Sequence, residues 1–241
     1  MKKFLSVIGV AVFTLAGASA EPLITWNFNG QSDYGTSPYN ATGTGVAGVL
    51  SRGAGVGSSS SGSIAANAWG GTSFTASSYA SAVLAEEYFT FTLTAAPGNT
   101  MSIAGIDAYA LRWSSTAPQS AQWEFSLNGD TFTPIGSAFT IHGGGSASQA
   151  AQGAIDLTSY DLVDIDSITF RLVVWGATNT LGNLYFDGRT GSRPSAFTIQ
   201  GTSAPIPEPS TWLLLGAGVA IVVIFCRRKK GIAPAILTPN S

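Results

Sequence analysis

The chain has 241 residues, one cysteine, one histidine, a 10% share of charged residues and a formal net charge of −2. Thirteen acidic residues lie between Glu21 and Glu208, against five arginines (Arg52, Arg112, Arg171, Arg189, Arg193) and no lysine between Lys3 and Lys229, so that stretch is eight charges negative. Such a body repels phosphate backbones and excludes nucleic acid as a partner. The lone Cys226 excludes an internal disulfide, and the lone His142 excludes a histidine-based zinc site.

The N-terminus reads MKKFLSVIGVAVFTLAGASA. Lys2 and Lys3 form a basic opening, an apolar core runs from Phe4 to about Ala16, and Ala18-Ser19-Ala20 supplies a small-residue cleavage pattern. This predicts a secretory signal peptide over residues 1–20, with Glu21 opening the mature chain. The core is too short to span a bilayer as a retained anchor.

The body over residues 21–204 has two textures. From Gly30 to Ala85 it is rich in Gly, Ser, Ala and Thr, with the knot GVGSSSSGS at Gly55 to Ser63, and is expected to be dominated by loops. From Tyr88 onward a period of two is clear. In YFTFTLT, Phe89, Phe91 and Leu93 face one way and the threonines the other; in SITFRLVVW, Ile168, Phe170, Leu172 and Val174 do the same. Asn128-Gly129 is a hairpin signal, and LITWNF (Leu23 to Phe28) opens the set of strands. Only Ala80 to Glu87 suggests a turn or two of helix. Many short strands without crossover helices predict an all-β fold, an antiparallel β-sandwich of jelly-roll type with eight to ten strands. The expected core is Phe89, Phe91, Leu93, Ile103, Ile106, Trp123, Phe125, Ile168, Phe170, Leu172, Val174, Leu184, Phe186, Phe197 and Ile199.

Chemistry-bearing residues are sparse. His142 sits in IHGGGS, poorly preorganised, with no G-x-S-x-G elbow to serve. Glu86 and Glu87 are adjacent, so in a strand they point to opposite faces and cannot flank one glycosidic bond. Glu124, beside Trp123, is the best single candidate for a hydrolase, although a solvent-facing acid is the expected reading. In SYDLVDIDS, Asp161 is followed by Asp164 and Asp166; the last two would project to one side of an extended chain as a candidate calcium site, although no Asp-x-Asp-x-Asp-Gly loop is present. Trp69, Tyr109, Trp113 and Trp175 lie off the cleanest core faces and are candidates for a sugar-stacking platform. No cofactor is expected.

The C-terminal stretch APIPEPSTWLLLGAGVAIVVIFCRRKK, Ala204 to Lys230, carries the strongest signal. Pro209 to Cys226 is an uncharged run of eighteen residues, at the lower bound for a transmembrane helix, with Trp212 at its start and a basic cluster after it. The prolines of Pro207-Glu208-Pro209 hold an extended peptide outside the membrane. This order of PEP, short span and basic cluster resembles the PEP-CTERM sorting signal. The resemblance implies recognition of Pro207, Glu208 and Pro209 by an exosortase, a membrane-embedded cysteine transpeptidase. It further implies a span over Trp212 to Cys226, and Arg227, Arg228, Lys229 and Lys230 as the membrane stop. The signal covers residues 205–230, and a short tail over residues 231–241 follows.

The segment from Glu86 to Thr202 also resembles the β-sandwich ectodomains of PEP-CTERM proteins of environmental Gram-negative bacteria, through EEYFTFTLTAAPGNTMSIAGIDAYALRWSSTAP, WEFSLNGDTFTPIG, SITFRLVVWGATNTLGNLYFDG and FTIQGT. The implied protein is exported, held transiently in the inner membrane and then placed at the cell surface or outside the cell. It is associated with exopolysaccharide or biofilm and is not an enzyme. The alternatives are a carbohydrate-binding module of the matrix and, after it, a glycoside hydrolase.

Overall fold

A computed structural model describes residues 21–32, 34–58, 67–141, 148–189, 191 and 193–206. The expected signal peptide, His142, the Pro207-Glu208-Pro209 motif, the span and the basic cluster lie outside the described residues. Among the described residues, no helix is long and apolar enough to cross a membrane. The body forms one compact unit that ends at Ala204.

Fourteen strands and one α-helix stand among the described residues. In chain order they are β1 (Glu21–Asn27), β2 (Tyr39–Gly43), β3 (Val46–Arg52), β4 (Ala68–Gly71), α1 (Tyr79–Leu84), β5 (Tyr88–Ala95), β6 (Asn99–Ile106) and β7 (Tyr109–Trp113). There follow β8 (Ser120–Ser126), β9 (Thr133–Thr140), β10 (Ser148–Gln152), β11 (Ile155–Asp156), a 3-10 turn (Thr158–Tyr160), β12 (Ser167–Trp175), β13 (Leu184–Asp187) and β14 (Ala196–Pro205). They form a six-stranded sheet, β2-β3-β5-β12-β8-β9, and two four-stranded sheets, β1-β14-β6-β11 and β10-β7-β13-β4. Antiparallel pairs β5·β12, β6·β11, β7·β10 and β8·β9 nest inside one another, as in a long hairpin rolled up, which is the pairing of a jelly roll.

The architecture is an antiparallel sandwich, as expected, with more strands than expected. Three of the additional ones, β2, β3 and β4, come from the Gly-rich stretch read as loop-dominated. There, Val46, Gly48 and Leu50 face inward; a Cβ on Gly48 would lie 2.6 Å from Trp26 Cζ2 and 2.5 Å from Ile24 Cδ1. The glycine makes room for the indole.

Aromatic contacts join the layers. Phe91 of the six-stranded sheet meets Phe197 at 5.3 Å between ring centroids, Trp123 stacks on Phe197 at 5.9 Å, and Phe89 meets Phe186 at 5.7 Å. Phe186 and Phe197, at 4.9 Å, tie the two smaller sheets together. All fifteen expected core residues are buried, joined by Leu23, Ile24, Trp26, Phe28, Trp69, Phe74 and others.

Local chemistry explains the connections. Ser78 and Ser81 form a reciprocal capping box that starts α1. Between β8 and β9, Gly129 takes φ +81° and the Asn128 side-chain oxygen accepts from the amides of Asp130 and Thr131, at 3.0 and 2.9 Å. Arg52 clamps the edge of β4 to the preceding loop: its guanidinium donates to the carbonyls of Tyr34, Gly35 (2.9 Å) and Gly70 (2.6 Å) and lies over the Trp69 ring. Burial lowers Arg52 to about 10, still cationic at neutral pH.

Candidate functional site: a mixed aromatic and polar cleft

Where β9 ends the six-stranded sheet and β10 and β11 end the two smaller ones, the layers leave a cleft of about 430 Å³. Its aromatic lining is Tyr109, Trp123, Phe139 and Tyr160, and its polar lining includes Gln152 and Asp156. Tyr109 and Trp123 come from the inward faces of β7 and β8, and each is 2% exposed. The Trp123 Nε1–H donates to the Tyr109 hydroxyl at 2.8 Å. Burial raises the Tyr109 pKa, so the hydroxyl stays protonated at any ordinary pH. Its own O–H proton has no acceptor among the described residues. Tyr160 is fixed by accepting the Gly136 amide at 3.0 Å. Asp156 accepts from the Thr158 amide and hydroxyl at 2.9 and 2.7 Å, both on Oδ1; these bonds hold its pKa below the usual carboxylate value.

The expected stacking platform is not assembled. Trp69, Tyr109 and Trp113 are 0%, 2% and 8% exposed, because β4 and β7 turn those side chains inward; a buried ring face cannot receive a sugar from solvent. Only Trp175 is part-exposed, and its ring meets Tyr79 edge to face at 6.1 Å. Of the four, Tyr109 alone lines the cleft. Trp123, expected as core, lines it as well. The lining comes from chain segments far apart in sequence, and nothing local in any of them marks a site.

The calcium candidate also fails on geometry. Asp164 has φ +52°, so the chain is not extended there, and its Oδ1 accepts from Thr100 Oγ1 at 3.3 Å. Among the described residues, no three His, Cys, Asp or Glu side chains converge where they could hold a metal ion.

Glu124 is not solvent-facing. It is fully buried on the outer side of the six-stranded sheet, opposite Arg171 in register, with Arg171 Nε and Nη2 both 2.7 Å from Oε1. The Tyr79 hydroxyl donates to Oε2 at 2.5 Å. Both oxygens are occupied. Arg171 is itself held between the Tyr88 ring (4.8 Å) and the Phe132 ring (3.3 Å). Glu87 is likewise structural: Oε2 accepts the Ala76 amide at 2.8 Å, while Glu86 accepts the Ala54 amide at 3.2 Å.

The described body is an antiparallel β-sandwich. Residues 205–230 match the PEP-CTERM protein-sorting motif, which marks the chain as an exported protein processed by exosortase. No curated protein matches the chain.

Proposed function

We propose that this protein is a non-catalytic component of the cell surface or extracellular matrix, held briefly in the membrane by its C-terminal span and associated with exopolysaccharide after processing. The observation that carries the reading is the match of residues 205–230 to the sorting motif, at the end of a compact β-sandwich body. Two further observations support it. The body is acidic and lysine-free, which favours solubility outside the cell over capture by anionic surfaces. The best acid for a hydrolase, Glu124, has both oxygens bound and no access to solvent, so it can neither protonate a leaving group nor attack a sugar.

Fractionation of cultures tests the reading. The processed protein is expected to co-purify with extracellular polysaccharide. Changing Pro207-Glu208-Pro209 to alanines is expected to hold the protein in the membrane fraction. Recovery of the processed protein free in the medium, with none in the polysaccharide fraction, contradicts the matrix role.

A further inference from the structure

We infer that the cleft between β9 and the segment from Ile155 to Tyr160 binds a neutral glycan chain; this rests on the matrix reading above and adds the ligand's chemistry and place. The volume, about 430 Å³, falls within the range of small-ligand sites, roughly 300–1,000 Å³. Pyranose rings have apolar C–H faces and hydroxyl edges, and the lining offers both kinds of partner. Phe139 and Tyr160, both part-exposed, supply aromatic surface above the buried Tyr109 and Trp123, while Ser137, Thr140, Gln152 and Ser159 supply side chains that make no hydrogen bond within the described protein.

Two polar groups point to a hydroxyl-rich ligand. Burying a donor without an acceptor is unfavourable, and the Tyr109 O–H, on a residue 2% exposed that lines the cleft, has no acceptor among the described residues. A ligand hydroxyl oxygen would satisfy it. Asp156 spends Oδ1 on Thr158 and leaves Oδ2 as an ionised acceptor for a ligand O–H. Charge then selects among glycans. Among the described residues no Arg or Lys lines the cleft and the charged group that does is the Asp156 carboxylate, so uronate or sulfate groups would meet repulsion without compensation from them.

Calorimetric titration of the full-length chain, in a zwitterionic detergent without a sugar headgroup, tests this. The neutral probes are cellohexaose, maltohexaose and mannohexaose, and the anionic probe is hexagalacturonate. Saturable binding of at least one neutral probe is expected, with hexagalacturonate at least about tenfold weaker. Tyr109→Phe, which keeps the ring and removes the donor, is expected to weaken binding about tenfold, in line with one lost hydrogen bond. Since that change also strands the Trp123 N–H, Ser137→Trp serves as the second variant. It starts from an exposed residue, fills the cleft, and is expected to abolish binding with thermal unfolding unchanged. Flat titrations with all neutral probes, preference for hexagalacturonate, or binding unchanged in both variants would overturn the assignment. A chain that co-purifies with cellular polysaccharide yet titrates flat overturns the cleft and leaves the matrix reading standing. A chain that titrates but does not co-purify overturns the matrix reading alone.

Discussion

Arg171 and Glu124 face each other across β12 and β8, with two guanidinium nitrogens 2.7 Å from one carboxylate oxygen and the glutamate wholly out of solvent. An exposed pair contributes about 0–1 kcal/mol, whereas removing one member of a buried pair leaves an uncompensated charge and costs about 3–5 kcal/mol. Glu124→Ala is therefore expected to lower unfolding stability by that amount. Replacing both members with apolar residues, Glu124→Leu with Arg171→Met, is expected to recover most of the loss. Chemical denaturation checks both, and a double variant no better than the single would show that the pair's value lies in something other than charge compensation. Activity on polysaccharides is expected to be the same background for Glu124→Gln and the parent.

The same cluster sets an alkaline limit. Burial, then the hydrogen bond to Glu124, raises Tyr79 from 10.0 to about 12. A raised phenol is neutral when folded over a range where the unfolded chain has already ionised. The stabilisation is therefore complete below pH 10 and lost as pH rises to about 12. Tyr109 and Tyr185, also raised by burial, act in the same direction. Stability measured across this window is expected to fall less steeply in Tyr79→Phe than in the parent; parallel slopes would contradict the role given to Tyr79.

Phe170 is fully buried, stacked on Phe91 with 4.8 Å between centroids. Phe170→Ala is expected to cost about 3–5 kcal/mol, a large share of the roughly 5–15 kcal/mol that holds a domain together. The unfolding midpoint should drop sharply, while reducing agents should leave it unmoved, because Cys226 has no partner in the chain.

Gly48 tests the packing of β3 against β1. A Val there would push two methyls into the space of Trp26 and Ile24, and overpacking of this kind costs about 1–3 kcal/mol. Thermal melts of Gly48→Val should show the loss. A neutral result would mean that β3 can shift away from the indole.

The contrast between β5 and β3 shows what was legible in the sequence. Phe89, Phe91 and Leu93 announce their strand by alternation, and the structure pairs Phe91 with Phe170 and Leu93 with Ile168 in register. In β3 the same alternation is present, but its middle inward position is Gly48, so hydrophobicity does not reveal it; the missing volume is supplied by Trp26 from another strand. Tyr109, Leu111 and Trp113 do alternate inward, yet their short run between Gly- and Ser-rich turns reads equally well with either face buried. The burial of Glu124 depends on the α1 residue Tyr79, 45 positions away, and the cleft on three sheet edges meeting. Local pattern carries strand parity; it does not carry what covers a face.

The central claim, that exosortase processes the chain and releases it to the outside, is tested most directly by the intact mass of the exported protein in cells with and without exosortase. With the enzyme, the account predicts a chain shortened from Glu21 to near Pro207-Glu208-Pro209 and recovered outside the inner membrane. Without it, the chain should extend through Ser241 and stay in the membrane fraction. A full-length, membrane-held chain in both strains would contradict the account and leave a plain single-pass anchor in its place.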